Sequence, residues 1–415
     1  MSWVTAPVLV GLCISVAAMA SSTFTTLGLG ALAPDLRADL HLTTFEVGLL
    51  PALVFLGALA ASVPAGHMTD RIGAGRALIV SQIGIACGVG VTLIAATRWP
   101  FLGGVAIAGL GYGVVNPATN VLSTSLVPRG RRALFLSVKQ MGVTLGGLAA
   151  GAVLPRLAEL LGWRGAVAVA VVLLLCGALA GLWVSRREVS GWFAPPRSRA
   201  PGPAPAAADT VSIPGGRPTA VFGFVMSGVQ LSLAGYLTVY LVDTHGFSRT
   251  TAGLALSVAF ASACFARVVW GWLSDRFFAS HASTLVLAAG ASVAGLVAIA
   301  ADVRGPALWM VVVLIGGCSI GWNGVYMALI TDAASHRQLG QATGRGLTAI
   351  YGGVAVVPPA LGLLKDLADS WAVVWIAAAA AVLLAATALA FSPRRLVRVA
   401  AEDPGVAKTH TGTPA

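Results

Sequence analysis

Apolar runs long enough to cross a bilayer recur along the whole chain, and nothing else in the sequence limits its fold so tightly. The hydrocarbon core of a bilayer is roughly 30 Å thick and takes about 20 apolar residues per helical crossing. Twelve such runs are read at 8–34, 45–66, 77–97, 101–123, 134–155, 163–185, 219–242, 252–273, 283–301, 306–331, 342–364 and 371–391. Only 10% of the 415 residues are charged, against about a quarter in soluble domains. The sequence therefore predicts an all-α membrane protein of twelve transmembrane helices. The first run is too long for a signal-peptide core and no Lys or Arg precedes it, so it is expected to persist as a helix.

The net charge of +11 could suggest nucleic acid, but its distribution argues for membrane orientation instead. With both termini on one side, that side collects 16 Lys and Arg in its loops and tail and the other side only seven, leaving three within spans. This is the positive-inside bias, which places both termini in the cytoplasm. Cys13, Cys87, Cys176, Cys264 and Cys318 all fall in apolar runs, with no disulfide or metal spacing, and the six histidines lie at span ends, in loops or in the tail.

After the sixth run the composition changes abruptly. Residues 186–218, "RREVSGWFAPPRSRAPGPAPAAADTVSIPGGRP", are rich in Pro, Ala, Gly and Arg and read as a flexible cytoplasmic linker. The tail, 392–415, is expected to be disordered and cytoplasmic. The linker separates two halves, 1–185 and 219–391, which repeat one another. At an offset of 205, Gly48, Leu49, Phe55, Gly66, Asp70 and Arg71 meet Gly253, Leu254, Phe260, Gly271, Asp275 and Arg276. A duplicated six-helix unit is a common build for secondary transporters, with the solute site between the halves.

These features carry a family resemblance. "GHMTDRIGAGR" at 66–76 resembles the loop 2–3 signature of the major facilitator superfamily, through Gly66, Asp70, Arg71, Gly73 and Arg76. "GWLSDR" at 271–276 is similar to its degenerate second copy, through Gly271, Asp275 and Arg276. The resemblance implies two pseudo-symmetric six-helix bundles that rock about a central site, with the signature residues as a conformational gate. Gly66 and Gly271 are expected to allow close helix approach, and Asp70 to face a helix N-terminus of the other half. The drug–proton antiporters of the family carry an Arg within span 4 and a Gly-Pro pair in span 5. This chain has Val105 and no such pair there.

Ionisable residues inside spans are functional candidates by default. Three cations qualify, Lys139 in span 5, Arg267 in span 8 and Arg345 in span 11, and no Asp, Glu or His lies near the middle of a span. At an offset of 206, Lys139 meets Arg345 and Gly146–Gly147 meet Gly352–Gly353. Arg267 resembles the span 8 arginine with which monocarboxylate and oxalate carriers of the family hold a carboxylate, although their Asp one turn earlier is here Ala263. Two roles stay open for Lys139 and Arg345. They can contact an anionic solute, or they can latch the halves by pairing with Asp275 and Asp70 respectively. For Arg267 the alternative is snorkelling to the interface.

The resemblance also places spans 1, 4, 7 and 10 around the cavity. They contribute Asn116 and Asn120, which share one helix face, together with Gln230, Tyr236, Asn323 and Tyr326. "GLGYG" at 109–113 sits mid-span and lacks nucleotide-loop spacing, so it reads as helix packing. With no ATPase motif and no cofactor or metal expected, the reading is a secondary active transporter rather than an enzyme. It moves a small organic anion by alternating access in a bacterial inner-membrane type of plasma membrane. The expected partners are that solute, membrane lipid and a coupling ion or counter-substrate, with no nucleic acid and no second copy of the chain. The alternatives are an efflux exporter for a drug or secreted metabolite, and a non-transporting sensor.

Overall fold

The computed structural model describes residues 6–124, 127, 132–189, 216–278, 280–332 and 339–392, and among them the only regular secondary structure is helical. A hydrocarbon solvent accepts no backbone hydrogen bonds, so each crossing must satisfy its own amides, and a helix does so. Span 1 is Ala6–Thr26, continued by a 3-10 turn at Leu27–Gly30 and a short helix at Ala33–Leu40. Spans 2, 3 and 4 are Thr44–Ile72, Ala74–Ile94 and Arg98–Thr124. Spans 7, 8 and 9 are Gly216–His245, Arg249–Phe277 and His281–Ala300, and spans 11 and 12 are Leu339–Ala368 and Trp371–Ala390.

Spans 5 and 6 share the 58-residue segment Arg132–Val189. At ~1.5 Å per residue a straight helix of that length would be about 87 Å long, far more than one bilayer. Gly162 divides it by leaving helical geometry, with φ 70° and ψ 165°, a backbone that glycine reaches without a Cβ clash. Among the described residues eleven stretches are long and apolar enough to cross a membrane, and this one is long enough to cross twice, which gives the twelve expected. Span 10, expected to be continuous over 306–331, is not. Pro306–Ile315 passes into a π turn at Gly316–Ile320 before Asn323–Asp332 resumes the helix. Of the linker expected over 186–218 and the tail expected over 392–415, residues 190–215 and 393–415 lie outside the described residues.

The halves repeat each other's packing. Span 1 packs on 5, 2 on 4, 3 on 4 and 3 on 6, and correspondingly 7 on 11, 8 on 10, 9 on 10 and 9 on 12. Between halves, span 2 meets span 11 and span 5 meets span 8. This seam lies towards the side opposite the signature loops. Asp366 accepts from the amides of Thr44 (3.0 Å) and Phe45 (2.8 Å), so a carboxylate of one half caps span 2 of the other. Tyr236 donates to Pro358 O at 2.5 Å, and a Cβ on Gly48 would lie 2.0 Å from its hydroxyl. Thr238 donates to Gly30 O at 2.7 Å, Arg37 pairs with Asp243 at 2.7 Å, and Arg249 pairs with Asp35. Further in, Ser257 donates to Leu148 O at 2.7 Å, and Phe55 meets Tyr351 with ring centroids 5.6 Å apart.

Within the first half, spans 3 and 4 approach backbone to backbone. A Cβ on Gly88 would lie 2.2 Å from Ala108 N, whereas one on Gly90 would meet nothing within 4 Å. Overpacking costs ~1–3 kcal/mol or more. Gly88→Val should therefore depress the melting temperature of the purified protein sharply or prevent its recovery, while Gly90→Val should melt close to the parent. Equal melting of the two variants would contradict this packing.

Candidate functional site

Lys139 enters the bundle on span 5 and is 2% exposed. Its ammonium donates to Asn116 Oδ1 at 3.0 Å and Asn120 Oδ1 at 2.7 Å, both on span 4. The two asparagines lie four residues apart on one helix face, and a lysine ammonium can only donate. Both amides must therefore turn their oxygens to Lys139, and among the described residues no carboxylate joins them. Close packing of span 5 on span 1 fixes the approach, since a Cβ on Gly142 would fall 2.5 Å from Val16 O and one on Gly146 2.4 Å from Ala20 O.

Arg267, on span 8, is half-buried, and its Nε is buried without a hydrogen-bond partner among the described residues. No acid pairs with it among those residues. It lies near Cys264 one turn earlier, and Cys264 approaches Thr144 of span 5 across the seam. On span 10, the π turn and the break after it bring Trp322 and Asn323 round to span 7. There Gln230 Oε1 accepts from Trp322 Nε1 at 3.1 Å and from Asn323 Nδ2 at 2.9 Å. Indole N–H is donor only, so this amide too turns its oxygen inward to the protein.

The remaining expected residues are placed differently. Tyr326 is fully buried against Phe222 and Trp322 and donates to Thr219 O at 3.3 Å. Tyr236 stands in the seam between the halves, its hydroxyl held by Pro358 O. Arg345 is exposed. The asymmetry with Lys139 has a cause in the repeat. At the same offset of 206, Asn116 and Asn120 correspond to Trp322 and Tyr326, so the second half lacks the two amide oxygens that hold the first cation.

The halves stand apart at the signature end. Asp70, Arg71, Arg76, Asp275 and Arg276 are exposed, and Cβ atoms built on Gly66 and Gly271 would meet nothing within 4 Å. The close helix approach expected at these glycines is not made in this conformation. Neither expected pair, Asp70 with Arg345 or Asp275 with Lys139, is formed among the described residues. The reason is geometric, because the ion pairs and most of the other contacts described between the halves lie closer to the opposite end. Gly73 takes φ +86° and turns the chain from span 2 into span 3. Glu188, at the end of span 6, accepts there from the amides of Ala74 (3.0 Å) and Gly75 (3.2 Å). A carboxylate at a helix N-terminus satisfies otherwise orphaned donors. Sequence reading passed over Glu188 because it lies more than a hundred residues from the loop it holds. It passed over the Asp35–Arg249 pair because Asp35 stands just outside an apolar run.

Twelve membrane-crossing helices in two equivalent halves, each with polar side chains bonded in its interior, are the architecture of a membrane transporter. The model of the Major Facilitator Superfamily matches residues 11–358, and the chain belongs to that family. It is 26% identical over 343 residues to the gentisate transporter of Corynebacterium glutamicum, covering 81% of this chain and 76% of that one. It is 27% identical over 363 residues to a probable nitrate/nitrite transporter of Mycobacterium tuberculosis, covering 82% and 85%. Its fold is similar to the crystal structure of a bacterial homolog of the human lysosomal transporter Spinster, with a TM-score of 0.70, 19% identity and coverage of 93% and 96%. The protein is a multi-pass membrane transporter for a small molecule.

The Glu188 contact is open to test. Loss of an N-terminal cap costs about 0.5–2 kcal/mol. Glu188→Ala should lower the melting temperature of the purified protein and increase amide exchange at Ala74 and Gly75. Unchanged exchange at those two amides would remove Glu188 from this role.

Proposed function

We propose that this protein is a secondary active transporter that carries a small organic anion across the plasma membrane by alternating access, with Lys139 and Arg267 as the cations that meet the anion. One observation carries the reading, namely that three interior amides, those of Asn116, Asn120 and Gln230, turn their oxygens to donors of the protein. Asn116 and Asn120 turn theirs to Lys139, and Gln230 turns its own to Trp322 and Asn323. What Asn116, Gln230, Lys139 and Arg267 have left to offer is N–H and positive charge. A cationic solute would find repulsion at Lys139 and Arg267 and, among the described residues, no carboxylate beside them; a carboxylate solute is acceptor only and complements this set. The named solutes of the two relatives support the choice, since gentisate is a carboxylate and nitrate and nitrite are anions.

The excess of Lys and Arg makes the signature side cytoplasmic. The conformation described is then open to the cytoplasm and closed to the exterior. In the opposite state the signature loops would come together, and Asp70 with Arg345, and Asp275 with Lys139, would latch that end. An anion that takes Lys139 from Asp275 loosens one latch, so occupancy biases the two states through differential affinity. Gly66, Gly73, Arg71, Arg76, Gly271 and Arg276 belong to this gate. Asn323, Tyr326 and Tyr236 support the site and the seam around it.

Lys139→Met keeps the volume but removes the donor shared by two amide oxygens, and an unsatisfied buried acceptor costs about 1–3 kcal/mol. The variant should therefore melt below the parent and bind small carboxylates more weakly, measured by calorimetry on protein in nanodiscs. A hydrogen bond to a charged group is worth ~1.5–3 kcal/mol, so Lys139→Met and Arg267→Ala should each cost roughly ten- to a hundredfold in affinity. Arg267→Lys should recover part of the loss, lacking the bidentate fork. Unchanged carboxylate affinity in both single variants would defeat the anion assignment.

A further inference from the structure

Asp35 has no part in the function proposed above, yet of the seam carboxylates Asp35, Asp243 and Asp366 it is the most buried. It lies on the short helix Ala33–Leu40 and is only 7% exposed. Oδ1 accepts from Arg249 Nη1 at the start of span 8, so the pair joins one half to the other. Oδ2 is buried with no hydrogen-bond partner among the described residues. Glu159, at the end of span 5, brings a second negative charge towards it. The other charges around this helix are engaged elsewhere or turned to solvent. Asp243 of span 7 pairs with Arg37, Arg164 of span 6 with Asp39, His245 of span 7 with Asp302, and Arg156 of span 5 is exposed.

The closed seam thus encloses a carboxylate that is only half satisfied. Arg249 is 47% exposed, and solvent screens its attraction. An ion pair repays its desolvation only when its remaining lone pairs are also met, and here one oxygen is not. We infer that Asp35 is a proton-binding switch of the extracellular seam: its protonated form favours the seam closed, and its ionised form favours the halves parting there. The inference rests on the alternating-access reading. Burial drives the carboxyl of Asp35 above the usual range, against the opposing pull of Arg249. Asp39, on the same helix, is bonded by Trp163 and Arg164 and is held below that range.

The sign follows from linkage. When the seam parts, water reaches Asp35 and its proton affinity falls towards that of an ordinary carboxylate, near pKa ~3.9. The closed state then binds the proton more tightly. Below the open-state value both states are protonated and closure keeps its full advantage. That advantage is lost as pH rises through the closed-state value, by up to about tenfold in the closed-to-open ratio per pH unit. A proton from an acidic exterior therefore pushes the cycle towards the state open to the cytoplasm.

Spin labels at Ile94→Cys and Leu367→Cys, on exposed extracellular ends of spans 3 and 11, report the seam in full-length protein freed of its five native cysteines. Double electron–electron resonance between pH 4 and 8 should show the short-distance population falling as pH rises. Asp35→Asn should hold the short distance throughout. Arg249→Gln should move the midpoint to higher pH, because removing the guanidinium raises the proton affinity of Asp35. Two populations whose ratio ignores pH in the parent, or an Asp35→Asn protein that titrates like the parent, would overturn the switch and leave alternating access standing. A single population in all three proteins at every pH would overturn both.

Discussion

Among the described residues Lys139 is held by two amide oxygens and no acid, and much of the bundle is arranged around that fact. A cation at mid-span costs about 2.5–3.5 kcal/mol on insertion scales, and here it is 2% exposed. The cost is met locally. Span 4 supplies two acceptors at helical spacing, and the glycines of span 5 let the backbone of span 1 close against it. Neutral acceptors hold an ammonium without cancelling its charge, so the interior keeps a positive field that a carboxylate partner would have removed. Arg267, with an unmet Nε, adds to that field from the other half.

The polar contacts between the halves are gathered at one end. Asp366 caps span 2, Tyr236 reaches Pro358 across from Gly48, and two arginine–carboxylate pairs tie the short helix after span 1 to spans 7 and 8. The signature end has the same currency of charge and glycine, but its groups face solvent. On the alternating-access proposal the signature end would supply a second set of contacts that excludes the first, giving two discrete arrangements. Ligands and protons would then act by favouring one set over the other. The half-satisfied carboxylate at Asp35 keeps the closed set from being so favourable that it could not be left.

The bundle was legible in the sequence because bilayer thickness and backbone hydrogen bonding leave so few alternatives. The length of the apolar runs fixes the number of crossings, and the offset of 205–206 residues exposes the duplication. The shared face of Asn116 and Asn120 was legible for the same reason, since helical spacing fixes it. That Lys139 would be the group they hold was not, because it depends on how span 5 rotates against span 4. The π turn at Gly316–Ile320 was hidden as well, because an extra residue in a helix leaves hydropathy unchanged. Asp35 and Glu188 were missed for a third reason. Both lie at span ends, where sequence marks a charge as solvated, and only the tertiary fold brings them against Arg249 and against the amides of Ala74 and Gly75.

The repeat is most informative where it fails. Cations occur at equivalent positions in the two halves, Lys139 and Arg345, but the acceptors do not: Asn116 and Asn120 of the first half become Trp322 and Tyr326 of the second. Those two aromatic side chains pack on Phe222, and the polar wall shifts to Gln230 and Asn323. A symmetric cavity would present equal charge to both halves and hold a solute equally from either. This one buries Lys139 on the first half, exposes its counterpart near the signature loops, and places amide and indole groups on the second. An anion bound at Lys139 would thus have its charge fixed to one half and its remaining surface read by the other. Rocking would change the second set of contacts while preserving the first, and that difference is what a solute needs if its binding is to move the equilibrium.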